Sequence, residues 1–462
     1  MCSNSPSIGE WAFTIRRKRA GTDVAMSVWS ANVSFASGSL VVAGCSASDL
    51  AKEFGTPAFI LDETDFRNRA TEYKNELEKV FPDSVVYYAG KAFLCVELVR
   101  WLDLLGLGVD VATGGELAVA LAGKIPAERI KVHGNNKSIS EITRAVQAGV
   151  GSIVIDSIME IERIAAVAKK LGKVQPVMIR LTPGVHAETS HAAIATAHED
   201  VKFGLSISSG AAWRAVQEIK KFPELDLRGI HAHIGSQIFN LSGHVETAKL
   251  LIEFMARYRD EFGSELTELD LGGGFGIAYV EGDHPNSVSE IMKTIHEVVN
   301  TACTAASLRI PKISIEPGRA LIGPAMFTLY EVGTIKEVVL ENGNIRTYIS
   351  VDGGMSDNIR PSLYNAIYTA RLANRTSTST TRDSRVVGKH CETGDILINE
   401  IDLPNDVVAG DLIAVAATGA YNRSMASNYN HVPRPPVIAV KNGKARVILR
   451  RETEADLLSL DV

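Results

Sequence analysis

From about Thr56 to Glu316 the chain alternates short, β-branched apolar runs with longer stretches of amphipathic helical periodicity. The runs fall at 58–61, 85–89, 108–111, 130–133, 152–155, 177–181, 228–233, 267–271 and 313–316. Helical patterns lie between them, for example at 64–80, 138–148, 157–171, 242–262 and 286–306. Consecutive strands joined through a helix must run parallel, and a strand that reads as one continuous apolar run is covered on both faces. The pattern therefore predicts an α/β fold whose parallel sheet is either closed as a barrel or open and doubly wound. Nine runs are one too many for an eight-stranded barrel, and the first is the one free to belong elsewhere.

Polar residues gather where these runs end. Lys91, Asp110, His133, Asp156, Arg180, His233, Gly272 and Glu316 all fall at or just after a predicted strand end. A strand that simply stops where polar residues begin explains any one of them, but fits the whole set poorly. Barrel active sites form at the C-terminal ends of the strands, which explains all of them together.

After Pro324 the pattern changes. Runs at 327–339, 346–351, 386–390, 412–416, 437–440 and 445–450 are separated by Gly, Asn and Asp turns, as at 341–344, and predict an all-β domain. The Ser- and Thr-rich stretch 374–385 reads as an exposed loop, and the β-prone run 39–42 is available to the β-domain.

A chain of 462 residues with 45% hydrophobic content is long enough for two domains and a large core. The net charge of −6 argues against nucleic-acid binding, and the cluster Arg16-Arg17-Lys18-Arg19 reads as a solvated arm. No apolar segment follows those charges as a signal peptide requires, and none is long enough to cross a bilayer. Met26 is an alternative start. The five cysteines (Cys2, Cys45, Cys95, Cys303 and Cys391) are scattered without metal-ligand spacing, and read as reduced thiols in a cytoplasmic protein.

Lys91 ends the apolar run Val85-Val86-Tyr87-Tyr88 within Tyr88-Ala89-Gly90-Lys91-Ala92-Phe93. An amine delivered by a strand end into a crevice is expected to be buried, which lowers its pKa and makes it nucleophilic toward carbonyls. That is the behaviour of a Schiff-base lysine for pyridoxal 5'-phosphate (PLP). Glu316 ends the run Ile313-Ser314-Ile315, where it serves either as a carboxylate beside a protonated pyridine nitrogen or as a solvated or capping residue. Gly272-Gly273-Gly274 offers backbone N–H groups free of Cβ obstruction to a phosphate, with a following helix to add its dipole. His231 and His233 alternate on a strand and so project to one side, but no third residue of ligand character follows to complete a metal site. No metal is expected.

Four segments then stand in order: His231-Ala232-His233-Ile234-Gly235-Ser236-Gln237, Leu271-Gly272-Gly273-Gly274-Phe275-Gly276, Glu316-Pro317-Gly318-Arg319 and Cys391-Glu392-Thr393-Gly394-Asp395. With Lys91 ahead of them, the chain resembles the diaminopimelate decarboxylases of the PLP-dependent alanine racemase-like, group IV decarboxylase family, from about Phe54 to about Leu458. Single matches such as the triple glycine are unspecific, whereas the ordered set is specific.

The resemblance implies a TIM (β/α)8 barrel at 57–322, a C-terminal all-β domain at 323–462, a segment at 29–56 that joins the β-domain, and a disordered tail at 1–28. It implies Lys91 as the PLP lysine, His233 stacked on the cofactor ring, and Glu316 at the pyridine nitrogen. Ser236, Gly273, Gly274, Pro317, Gly318 and Arg319 are expected around the phosphate, with Arg319 able to reach the substrate instead. Tyr421 is expected near both cofactor and substrate. Cys391 is the implied proton donor, carried with Glu392 on a loop that enters the neighbouring subunit's site, so that the working unit is a homodimer. Thr393 stands where the family has serine, which keeps the hydroxyl. Arg360 suits a distal carboxylate because a guanidinium fork binds one bidentately, with Tyr364 beside it. Asp357 and Glu392 are candidates for a distal amine, while Asp110, Glu116, Asn135, Asn136 and Lys137 are expected to line the pocket. The implied reaction is decarboxylation of meso-2,6-diaminopimelate to L-lysine and carbon dioxide. Decarboxylation of another basic amino acid or polyamine precursor is the rival, as is a PLP-binding protein without decarboxylase activity. The second domain with Cys391 and Arg360 counts against the last.

Overall fold

The computed structural model describes residues 28–36, 38–185 and 201–462. The basic cluster, Met26 and all but the last residue of the expected tail lie outside them. Val28 itself is buried beside Trp29, so the ordered chain begins at least there.

Eight parallel strands close into a barrel: β1 (Ser84–Ala89), β2 (Gly108–Val111), β3 (Ile130–Val132), β4 (Ser152–Ile155), β5 (Gln175–Thr182), β6 (Leu225–His231), β7 (Glu268–Asp270) and β8 (Lys312–Ile315). Each pairs with the next. Closure comes from β8 lying against β1, with Ile313 opposite Ser84 and Ile315 opposite Val86. An open doubly wound sheet is thereby ruled out.

The helices form where the periodicity predicts them, and three of them, beginning at Glu63, Ile139 and Val288, start on a side-chain cap. Ser138 and Glu141 make a reciprocal capping box before the helix Ile139–Ala148, and Ser287 and Glu290 do the same before Val288–Ala305. Close strand approach is bought at Gly229 in β6, where a Cβ would lie 2.0 Å from the carbonyl oxygen of Glu268.

The surplus ninth run belongs to the second domain. Strand Ala58–Asp62 pairs antiparallel with Met326–Val339 and parallel with Val437–Lys441, so the span expected to be barrel opens with a strand of the other sheet. All five of its residues are buried, which a continuous apolar run reports without saying which sheet buries them. From Met326–Val339 the sheet continues through Ile345–Val351 and Thr381–Val387 to Ile396–Pro404.

The expected loop at 374–385 is corrected by Thr381–Val387, which is a strand from its first residue. Ser384 and Val386 face inward while charged neighbours alternate outward, and both flanking strands satisfy its backbone. Residues 39–42 do form a strand, but in a separate three-stranded sheet with Val33–Ala36 and Cys45–Ser46. Leu40 and Val42 share a core cluster with Phe327, Leu412 and Ile438, so this small sheet packs on the β-domain without extending it. No helix among the described residues is long and apolar enough to cross a membrane.

Candidate active site

A cavity of about 570 Å³ opens at the C-terminal ends of the barrel strands and is closed from above by residues of the second domain. β1 ends at Ala89, and a single 3-10 turn over Gly90–Ala92 carries Lys91 to the cavity wall. Lys91 is an exposed side chain there, not the buried amine expected of it. Asp110, from the end of β2, lines the same wall, where burial and then the nearby Glu316 push its carboxyl well above the usual range.

Glu316, just past β8, is buried at the cavity floor between two imidazoles. His231 Nε2 lies 3.2 Å from its Oε2 and His133 Nε2 lies 2.8 Å from its Oε1. The second contact is close but poorly aligned, leaving His133 Nε2 and Glu316 Oε1 without a hydrogen bond among the described residues. Burial pushes His133 down to about 3, so its ring is neutral. Burial acts to raise Glu316, yet the two imidazoles outweigh it and hold the carboxyl well below its ordinary range. The three groups present ligand atoms within 4.8 Å of one another, as a metal site would. His231 Nε2, however, hydrogen-bonds Glu316 Oε2 at 3.2 Å, and the arrangement reads as a carboxylate held by one imidazole with a second beside it.

Beneath them Lys131 is fully buried against Asp270 and 3.2 Å from Ser314 Oγ. The other oxygen of Asp270 accepts from the Gly272 N–H at 2.8 Å, which ties this ion pair to the glycine turn. The Gly273 N–H in turn donates to His233 Nδ1 at 3.2 Å, leaving Nε2 as the protonated nitrogen of a ring that burial keeps neutral.

Gly274, Ser236, Pro317, Gly318, Arg319 and Tyr421 line a narrow recess that also touches Lys91. The recess needs glycine: a Cβ on Gly273 would lie 2.1 Å from the Glu316 carbonyl oxygen, and one on Gly274, at φ +93°, 2.3 Å from that of Gly235. Arg319 Nη2 donates to Ser236 Oγ at 2.8 Å, and its guanidinium lies 4.8 Å from the centre of the Tyr421 ring. The expected helix after the triplet is absent: residues 271–287 hold none, and the next begins at Val288.

Arg360 and Tyr364 line the same cavity from the second domain. Arg360 is buried, and its Nη1 donates to the hydroxyls of Tyr368 and, at 3.1 Å, Tyr279. Arg319 Nη1 donates to the same Tyr279 oxygen at 2.5 Å.

Residues 64–323 match the family described as pyridoxal-dependent decarboxylase, pyridoxal binding domain. A diaminopimelate decarboxylase of Mycobacterium tuberculosis is 51% identical over 430 residues, 92% of this chain and 95% of its own length. The chain belongs to the diaminopimelate decarboxylase family. A Bacillus subtilis diaminopimelate decarboxylase is 43% identical over 92% of this chain and 95% of its own. The crystal structure of diaminopimelate decarboxylase from M. jannaschii in co-complex with L-lysine matches with a TM-score of 0.87 at 30% identity, covering 94% of this chain and 98% of that one.

For this decarboxylase-family chain the fold brings most of the anticipated residues to one place. Lys91, His233, Ser236, Glu316, Arg319, Arg360, Tyr364 and Tyr421 share the cavity. Cys391 and Glu392 do not: both are exposed on a loop outside its walls, where the Cys391 N–H donates to Asn430 Oδ1 at 3.2 Å. Several pocket expectations are corrected. Asp357 is buried beneath Tyr330 and accepts from the Gly354 N–H, so it presents nothing to a substrate amine. Glu116 accepts from the Ala112 N–H at 2.6 Å, and Lys137 is buried 3.0 Å from Glu160. Asn135 and Asn136 are exposed, and of that segment Gly134 lines the cavity instead.

Sequence reasoning missed Tyr279 and Tyr368, which lie in stretches without periodicity. It also left His133 and Arg180 as strand-end residues with no role. The signal for His133 was present, because it follows β3 two residues after the buried Lys131 and so shares its parity.

Proposed function

We propose that this chain is a PLP-dependent decarboxylase of meso-2,6-diaminopimelate, producing L-lysine and carbon dioxide as the last step of lysine biosynthesis. The observation that carries the reading is the polarity of one cavity. A buried carboxylate with an unsatisfied oxygen, Glu316, and two buried guanidinium groups without a carboxylate partner among the described residues, Arg319 and Arg360, line the same cavity. The first suits a pyridinium N–H, and the second suits a substrate that ends in a carboxylate.

The residues present fit the cofactor. Bound, PLP supplies the electron sink for the pair released when the Cα–carboxylate bond breaks. Lys91 would hold it covalently through its amine, His233 would lie against it, and Glu316 would be its carboxylate partner. The recess of Gly274, Ser236, Pro317, Gly318, Arg319 and Tyr421, with Gly273 beside it, would take the phosphate through backbone N–H groups and the Ser236 hydroxyl.

Arg360 and Tyr364 orient the substrate by its distal carboxylate, with Arg319 and Tyr421 close enough to assist. Glu392 serves the distal amine and Cys391 returns a proton to Cα. Since these two are exposed outside the cavity of their own chain, we assign them to the neighbouring subunit's site in a cytoplasmic homodimer. The test is carbon dioxide release by purified, PLP-loaded protein across a panel of amino acids. Release from diaminopimelate and little from lysine or ornithine is expected; the reverse order refutes the assignment.

A further inference from the structure

Arg319 and Arg360 are two buried cations facing one cavity, 5% and 7% exposed, and neither has a carboxylate within ion-pair distance among the described residues. Two guanidinium groups so placed repel each other and are costly to desolvate unless something accepts from both. That acceptor is the phenol oxygen of Tyr279, which receives Arg319 Nη1 at 2.5 Å and Arg360 Nη1 at 3.1 Å. A hydroxyl oxygen has two acceptor lone pairs, and here both are engaged by cations.

Tyr279 is itself held from three sides. Its N–H donates to Asp283 Oδ2 at 2.9 Å, its carbonyl accepts from Thr369 Oγ1 at 2.9 Å, and its ring packs edge-on against Tyr368 with centroids 5.3 Å apart. Asp283 belongs to the segment after β7 and Thr369 to the second domain, so the phenol is fixed at the seam between the barrel and its cover. Tyr368 differs: its oxygen contacts Arg360 and passes its own proton to Asn422 Oδ1 at 3.2 Å, with no hydrogen bond to Arg319. Only Tyr279 bridges.

We propose that Tyr279 is a positioning residue for the substrate's distal carboxylate: its oxygen holds Arg319 and Arg360 side by side while the site is free of substrate, and an entering carboxylate displaces it as their shared partner. The proposal rests on the reading that the substrate ends in a carboxylate. Its logic is preorganisation, because a fork already assembled spends less of the binding energy on ordering side chains. The charge balance agrees. Burial acts to raise the Tyr279 phenol, but Arg319 and Arg360 together outweigh it and draw it below its ordinary range. The group is therefore well suited to stand in for an anion.

The experiment compares the PLP-loaded wild type with Tyr279→Phe and Tyr368→Phe. Four quantities are measured: KM and kcat for diaminopimelate, the inhibition constant of heptanedioate (the dicarboxylate of that length without amines), and that of pentane-1,5-diamine, which keeps the two amines and has no carboxylate. Loss of a hydrogen bond to a charged group predicts roughly a 10- to 100-fold rise in KM and in the heptanedioate inhibition constant for Tyr279→Phe. The pentane-1,5-diamine constant should stay within about threefold of the wild type, and kcat should change less than KM. Tyr368→Phe should do less, since Arg319 keeps its partner. Heptanedioate binding to the wild type should also perturb the tyrosine ultraviolet spectrum, a signal absent in Tyr279→Phe.

An unchanged heptanedioate constant overturns the proposal, as does an equal loss for heptanedioate and pentane-1,5-diamine, which marks a general structural role. Should Tyr279→Phe fail to hold the cofactor, Tyr279→Gln replaces it. Its amide oxygen offers a shorter acceptor, and an unaltered ratio of the heptanedioate to the pentane-1,5-diamine constant is then the refuting result. If the wild type does not turn over diaminopimelate at all, the substrate reading fails by itself, whatever the variants do.

Discussion

His133 sets its Nε2 2.8 Å from Glu316 Oε1, while His231 approaches the other carboxylate oxygen at 3.2 Å. The consequence is a stability that depends on pH. Burial lowers His133 from the ordinary imidazole value near 6.5 to about 3. Between those values the unfolded chain takes up a proton that the folded chain refuses, so stability is lost as pH falls below about 6.5. Glu316, also depressed, adds to the loss as pH falls through the carboxylate range. Asp110 and Asp357 are raised by burial and act in the opposite sense, so the informative quantity is a difference between proteins. We expect the unfolding midpoint of the cofactor-free wild type to fall more steeply between about pH 7 and about pH 5 than that of His133→Asn. Parallel curves would show that His133 does not carry this linkage.

Lys91 should be the lysine that holds the cofactor. Borohydride treatment of the loaded protein followed by peptide mass mapping is expected to leave the pyridoxyl group on Lys91. Label on Lys131 or Lys137 instead would contradict the assignment; both are buried in ion pairs and point away from this chemistry.

The exposed position of Cys391 and Glu392 predicts complementation between subunits. Lys91→Ala and Cys391→Ala homodimers should each be nearly inactive. A hybrid of the two contains one site with both residues intact, so mixing should restore up to about a quarter of the wild-type rate if subunits exchange at random. No recovery despite demonstrated exchange would place Cys391 outside a shared site.

Arg360 should carry selectivity for the distal carboxylate. A site built around buried polar partners rejects an analogue lacking the matching group by roughly 10⁴-fold, because those partners are left unpaired. Arg360→Ala is expected to depress diaminopimelate turnover while PLP stays bound, since the cofactor recess contains no part of Arg360. Arg360→Lys should recover only part, because an ammonium cannot reproduce the planar fork. Steady-state rates and the cofactor absorbance of the three proteins decide it, and near-wild-type turnover in Arg360→Ala is the refuting outcome.

Much of the site was legible because barrel geometry converts strand ends into a shared location. Lys91, His233 and Glu316 are far apart in the chain yet meet, since each follows a strand whose C-terminal end faces the same side. Residues outside that rule were misplaced. Glu116 and Lys137 carry charges suited to a pocket but spend them on the Ala112 N–H and on Glu160. Asp357 sits beside Arg360 in sequence and turns away into the β-domain, under Tyr330.

Hydrophobic periodicity by itself determined the alternation of strands and helices, the change to an all-β domain after Pro324, and the strand ends on which the chemistry stands. These are local properties: a run of apolar residues forms the same element wherever it packs. Only the tertiary structure decided that Ala58–Asp62 joins the second sheet, that Thr381–Val387 is a strand despite its polarity, and that Cys391 lies outside its own cavity. It alone placed Tyr279 between Arg319 and Arg360. Each of these depends on which surface a segment finds when the chain closes, and pairing across such distances leaves no period in the sequence to read.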